Sequence, residues 1–235
     1  MIQTKCFVFI SLLLFYVLSI RASESAAGYV SVNDSNYESY LIKHHGMVDI
    51  HEFDSTIKVE LKYASEQNFM GTDVYGHVRH CFLRLKAAEK LSVASACLRE
   101  SYPGYRLLVA DGFRPRQVQR EMYALVKYTP MKKYIAYPAT GSMHNYGCAV
   151  DVTIIDSNGY RLDMGTDMDD FSQCSQPRLE KKYVEEGMLL KEHIRNRRIL
   201  RDAMIGGGFH PLSIEWWHFD AFLKPTVRKH YYIID

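Results

Sequence analysis

An excess of charge of either sign is what this chain most plainly lacks. Its 235 residues hold 29 Lys or Arg against 27 Asp or Glu, a formal balance of +2. So even a balance supplies no basic field to draw in nucleic acid. Cysteine is also scarce, with five in all, and Cys6 lies in the apolar N-terminal run. The other four, Cys81, Cys97, Cys148 and Cys174, permit three disulfide connectivities and equally permit four free thiols. If Cys81 and Cys97 share one helix, they stand roughly 24 Å apart, beyond bridging distance. Only two tryptophans occur, side by side, and the seventeen tyrosines are scattered rather than arrayed as a stacking platform. There is no internal repeat and no low-complexity linker. No apolar run reaches the ~20 residues that comfortably span a bilayer.

The longest uncharged run is CFVFISLLLFYVLSI, fifteen residues (6–20), preceded by Lys5 and followed by the small residues of RASESAA. This is the pattern of a secretory signal, with cleavage expected between Ala22 and Ala27. Residues 1–27 are therefore read as an export signal, and the mature protein as periplasmic or secreted without stable membrane association. The remainder, 28–235, has the length and composition of one globular domain, with 47% hydrophobic and 24% charged residues over the whole chain.

Residues 28–53 are polar and turn-like. STIKVELKY (55–63) alternates Ile57, Val59 and Leu61 with charged residues and reads as a strand. From Leu83 the spacing changes: Ala87, Leu91, Ala94 and Leu98 form the stripe of an amphipathic helix, ended by Pro103-Gly104. YRLLVAD (105–111) reads as a buried strand, and Pro115 opens a second helix with Val118, Met122 and Leu125 on one face. CAVDVTII (148–155) reads as a strand. Residues 163–192 keep no steady period, which predicts a long functional loop with a short helix. Arg195 to Met204 reads as a helix stopped by Gly206-Gly207-Gly208, and SIEWWHFDAF (213–222) as a strand. Together these make one α+β domain.

The chemistry gathers in two distant segments. SMHNYGCAVD (142–151) puts His144 before a strand and Asp151 within it, and Glu215-Trp216-Trp217-His218 supplies a second histidine and a glutamate. His144, Asp151 and His218 make a two-histidine, one-carboxylate set. Catalytic zinc commonly takes three protein ligands and leaves a fourth position for water. Glu215 then suits the base that takes a proton from that water. A perfectly alternating strand sets Glu215 and His218 on opposite faces, so this assignment requires a bulge, a twist or a strand end. The bland alternative is a surface histidine, a strand-end aspartate and a packed tryptophan pair. Asp111-Gly112-Phe113-Arg114-Pro115 falls where a buried strand meets a helix. Arg114 there suits either an oxyanion or a carboxylate, or simply an ion pair with Asp111. His77–Cys81 has no matching second half for a metal site. His44-His45 reads as a solvated pair, and Arg195, Arg197, Arg198 and Arg201 as the exposed face of a helix.

These segments resemble a known family. SMHNYGCAVD is similar to the SxHxxGxAxD motif of the D-alanyl-D-alanine dipeptidases of the M15 zinc peptidases, IEWWHF to their ExWH motif, and VADGFRP to their DxYRP-like segment. LKYASEQNFMG (61–71), LDMGTDMDD (162–170) and NRRILRDAMIGGGF (196–209) resemble further segments in the same order, so the likeness runs from Thr56 to Phe219. The resemblance implies a single domain with a central, mainly antiparallel sheet flanked by helices, of the hedgehog/D-Ala-D-Ala peptidase type. It implies one zinc ion (Zn2+) per chain on His144, Asp151 and His218, Glu215 as base and then acid, and Arg114 on the transition-state oxyanion. Tyr63 and Asp169 would lie near the substrate ammonium, Ser142 near the dipeptide, and the substrate would be a small D-amino-acid dipeptide. Longer peptidoglycan stem peptides, or binding without catalysis, are the alternatives. The family often follows MGxxFD with a Ser-His pair, whereas this chain runs Asp169-Asp170-Phe171-Ser172-Gln173-Cys174-Ser175-Gln176, and Met168 replaces the phenylalanine of the segment. Cys148, inside the first motif, takes a position that is usually small and reads as a packed thiol.

Overall fold

The computed structural model describes residues 30–235, so the segment read as an export signal lies outside the described residues. The central pair of strands follows directly from composition. β4 (Arg106–Asp111) and β5 (Ala149–Ile155) are nearly continuous apolar runs buried on both faces, and they pair antiparallel along most of their length. β2 (Lys58–Val59) joins β4 in parallel, while β7 (His218–Asp220) and β6 (His210–Pro211) extend the other side antiparallel. The resulting order is β2-β4-β5-β7-β6, a mainly antiparallel sheet. A separate two-stranded sheet joins β1 (Met47–Asp49) to β3 (Phe82–Arg84).

Helices α1 (Tyr37–His45), α2 (Leu85–Ser101), α3 (Arg116–Val126), α4 (Glu180–Glu185), α5 (Lys191–Gly206) and α6 (Lys224–His230) complete the α+β domain among the described residues. The expected stripe of α2 is buried: Ala87, Leu91, Ala94 and Leu98 face the core. α2 packs against α5. Gly207 allows this close approach, since a Cβ there would lie 2.5 Å from Ala94 Cβ and 2.6 Å from the Lys90 carbonyl oxygen.

The structure corrects several expected boundaries. Of 55–63 only Lys58–Val59 pairs in the sheet, and a 3₁₀ turn at Lys62–Ala64 follows and buries Tyr63. Of 213–222 only His218–Asp220 is strand. The polar stretch 28–53 contains α1, whose Tyr37 and Leu41 are buried. Helix α5 starts at Lys191 rather than Arg195, and its basic run is not one exposed face. Arg197 is buried, donating to the carbonyls of Met164 (2.7 Å) and Cys174 (3.0 Å). Residues 163–192 are, as expected, a long loop with the short helix α4. No helix among the described residues is long and apolar enough to cross a membrane.

Candidate metal centre and cleft

Sheet register brings the chemistry together. On β5 and β7, Asp151 stands directly opposite His218. A register shift in β4 between Val109 and Asp111 sets Asp111 opposite Asp151 on the other side. Two carboxylates opposite one another repel. Arg114 lies between them, with its Nη2 at 2.6 Å from Asp111 Oδ2 and 3.5 Å from Asp151 Oδ2. Nε donates to the same Asp111 oxygen at 2.9 Å, and Nη1 to Gln119 Oε1 at 3.2 Å. The ion pair with Asp111 expected for Arg114 is formed, and the side chain also lines the cleft. Tyr75 donates its hydroxyl to the second oxygen of Asp111.

His144 rides on a 3₁₀ turn, Met143–Tyr146, just before β5. Ser142 caps the turn through its hydroxyl, and its own N–H is taken by Asn145 Oδ1 at 2.7 Å. Asn145 Nδ2 donates to the Arg114 carbonyl at 2.7 Å, and the Arg114 N–H to the His144 carbonyl at 3.1 Å, so the two motifs are stitched together. His144 Nδ1 lies 2.7 Å from the Gly112 carbonyl, which fixes that nitrogen as the N–H donor and leaves Nε2 with its lone pair. Gly112 itself cannot carry a side chain, because a Cβ would sit 2.5 Å from Cys81 Sγ.

Three ligand atoms then converge. His144 Nε2 is 3.1 Å from His218 Nδ1 and 3.3 Å from Asp151 Oδ1, and His218 Nδ1 is 3.0 Å from that same oxygen. A tetrahedral ion with ligands at ~2.0–2.1 Å holds adjacent ligand atoms about 3.3 Å apart. The outer nitrogen of His218 is 2.9 Å from Asp220 Oδ1, the carboxylate–histidine pairing typical behind a metal ligand. With both outer nitrogens donating outward, two lone pairs and a carboxylate oxygen face one another, a donor set that calls for a cation. In the protein alone the same demand for positive charge is visible at His218. Burial lowers its pKa, but Asp151 and Asp220 outweigh burial and hold it well above the ordinary value. Asp151 is pulled the other way: burial raises it, and the two imidazoles more than compensate, leaving it well below the usual carboxylate range. The residues fit a metal, and among the described residues this is the one such group.

The ligands open onto a cleft of about 270 Å³. Glu215 lines it, half-buried, on the irregular stretch before β7. That stretch is pinned by Trp216, whose N–H donates to the Ser175 carbonyl (3.1 Å) and whose indole donates to Thr166 Oγ1 (2.9 Å). Because 213–217 is not a strand, strict alternation does not separate Glu215 from His218. Burial pushes the Glu215 carboxyl up to about 7, opposed by His218 and helped by Asp151 and Asp169.

On one side of the cleft Tyr63 donates its hydroxyl to Asp169, 3.0 Å from both carboxylate oxygens, and its ring lies 4.9 Å below the Arg114 guanidinium. Asp169 sits at φ 65, the one positive-φ residue other than glycine among those described. Lys62 Nζ approaches it at 3.7 Å. Burial raises the Asp169 pKa, with Lys62 acting against it. Ser142 also lines the cleft, although its hydroxyl serves the turn. Phe171, after the departure from the family pattern, stacks on Tyr134 and meets Phe69 edge-on.

Other expectations resolve simply. Cys148 is fully buried, its thiol pushed up to about 12 by burial, which suits a packed thiol. Cys81 lies before β3 rather than on α2, and all four described cysteines are free. His80 pairs with Glu38 at 2.8 Å. His44 is exposed, but His45 is half-buried against Tyr40 and Tyr232 rather than solvated. Two supporting residues had no place in the sequence reading: Tyr75 and Asp220. The second carried a signal, since residues two apart on a strand share a face.

The M15 peptidase family model described as D-ala-D-ala dipeptidase matches residues 43–234. A D-alanyl-D-alanine dipeptidase of Escherichia coli K12 is 32% identical over 174 residues, covering 74% of this chain and 83% of that protein. One from Enterococcus faecium is 29% identical over 203 residues, covering 79% and 96%. One from Streptomyces coelicolor is 27% identical over 195 residues, covering 75% and 91%.

Proposed function

The chain belongs to the D-ala-D-ala dipeptidase family of M15 peptidases, and from that premise we propose that it is a zinc-dependent hydrolase of the D-alanyl-D-alanine dipeptide. The observation that carries the reading is the convergence of His144 Nε2, His218 Nδ1 and Asp151 Oδ1 within 3.0–3.3 Å of one another. Zinc bound there would lower the pKa of a water from ~15.7 towards ~7 and polarise the peptide carbonyl. Glu215, raised towards neutrality by burial, takes a proton from the attacking water and passes it to the departing amine. Arg114 faces the charge that develops on the carbonyl oxygen, anchored by Asp111 so that it need not reorganise. Asp169, with Tyr63, receives the substrate ammonium, and Ser142 lies beside the bound dipeptide. No serine or cysteine nucleophile is required.

The N-terminal signal pattern supports an exported enzyme, and the family's chemistry supports a place in cell-wall peptide turnover or glycopeptide resistance, between which the sequence does not choose. Metal analysis of the purified protein, joined to a dipeptide-cleavage assay, tests the reading. About one zinc per chain is expected, with most of it lost in His144→Ala and in His218→Ala. Full metal content in both variants would remove the site. Cleavage of longer stem peptides but not of the dipeptide would reassign the protein as a carboxypeptidase, and metal without any cleavage as a binding protein.

A further inference from the structure

The charges that line the cleft are mostly answered from within it. At Tyr63, 2% exposed, and Asp169, the carboxylate is approached by Lys62 at 3.7 Å, and the Arg114 guanidinium lies 4.9 Å from the tyrosine ring. Another part of the wall is formed by α6, which packs on the turn that carries His144: Val227 joins Met143, Tyr146 and Cys148 in one apolar cluster. That packing directs Lys224 and Arg228, one helical turn apart, onto the cleft, where both line its wall beside Asp220. Both are exposed, and neither enters an ion pair among the described residues. His144, Asp151 and His218 line the same cleft: Asp151 is 3.5 Å from Arg114, and His218 is 2.9 Å from Asp220, which shares the wall with Lys224 and Arg228.

A dipeptide is a zwitterion whose charged ends lie roughly 7 Å apart when extended, at ~3.3–3.6 Å per residue. With its ammonium at Asp169 and its peptide bond over the metal ligands, its carboxylate points towards α6. We propose that Lys224 and Arg228 bind the C-terminal carboxylate of the substrate, so that this peptidase reads a free carboxylate on the leaving residue. The inference rests on the dipeptidase reading above and adds the residues that set specificity on the leaving side. Lysine and arginine suit this place: the ammonium is a mobile, hydrated point charge, and the planar guanidinium matches the two oxygens of a carboxylate.

The test uses the metal-loaded full-length protein and two substrates, D-alanyl-D-alanine and its C-terminal amide, which removes one charge and leaves the scissile bond intact. Wild type is expected to prefer the acid about tenfold or more in kcat/KM, through KM. Lys224→Gln/Arg228→Gln is expected to lose about tenfold of that preference, again through KM, the scale of a lost charge-assisted contact. Lys224→Arg/Arg228→Lys should restore it, and added salt should erode it in wild type only. An acid-over-amide preference that the Gln variant retains within twofold overturns the inference and leaves the dipeptidase reading standing. Equal proportional losses on both substrates also overturn it. A wild type that cleaves neither substrate removes the dipeptidase reading and this inference together.

Discussion

Asp220 gave only a faint signal before the fold, its place two positions from His218 on a strand. Nothing in its type distinguishes it from the other carboxylates. Its place is set by β7, which turns residues 218 and 220 to the same side and leaves its oxygen 2.9 Å from His218 Nε2. That bond fixes the tautomer that presents Nδ1 to His144 and Asp151, where a metal would bind. Asp220→Asn is expected to weaken metal binding by roughly 10–100-fold, the usual cost of losing such a partner; chelator competition measures it, and unchanged affinity would reduce the contact to packing. Glu215 leads to a pH prediction. A base acts only when deprotonated, so kcat/KM should rise with pH through its pKa and then flatten. Burial, with the neighbouring charges, brings that pKa to about 7, and the charge of a bound metal would pull it lower. The acid limb should therefore lie below pH 7 and be absent from the residual activity of Glu215→Gln. A limb that survives in this variant would belong to another group. The convergence of His144, Asp151 and His218 was legible in the sequence because metal chemistry restricts residue type and the first motif is local. The bond from Gly112 to His144 was not, since it depends on a bulge that no residue identity announces.

Among the elements, legibility followed length. The seventeen residues of α2 give its period room to show, and its buried stripe matches the spacing. Strands of two or three residues, such as β2, β6 and β7, carry no period, so flanking residues were absorbed into them. Helix α5 fails differently. Four arginines in seven positions suggested a solvated face, but Arg197 turns inward to hold the loop that carries Asp169. It binds the Met164 and Cys174 carbonyls and lies 3.6 Å from Glu180 Oε1. Arg197→Met leaves the Met164 and Cys174 carbonyls short of a donor, while Glu180 keeps Arg201 at 2.8 Å. It is expected to destabilise the protein by about 1–3 kcal/mol, read as a lower denaturant midpoint. Because the loop reaches Trp216 through Thr166 (2.9 Å), the folded variant should also show a raised KM for the dipeptide. A variant as stable as wild type would mean that the loop holds itself.

For the molecule as a whole, the architecture carries the site on rigid, buried structure. Ligands arrive from the turn before β5, from β5 and from β7, and Arg114 arrives from the β4–α3 connection. The antiparallel pairing of β5 with its two neighbours sets their spacing, so the site forms only when the sheet does. The α+β class was legible because long apolar strands and one clear helical stripe survive in the sequence. The parallel attachment of β2 was not, since topology leaves no local mark. At the same scale, the N-terminal pattern predicts that the exported protein begins between Ser23 and Gly28. Mass spectrometry of the native material reads this directly, and an intact Met1 on a cytoplasmic protein would exclude export.

The central claim is that metal binding and proton transfer belong to different residues of one cleft. The most direct measurement is turnover of D-alanyl-D-alanine per folded, zinc-loaded molecule of Glu215→Gln. The substitution keeps size and leaves all three ligands untouched. Zinc content should stay near one per chain while turnover falls by at least roughly 10²–10⁴-fold, the usual contribution of a general base. A variant that keeps its zinc and turns over within a few-fold of wild type would contradict the account.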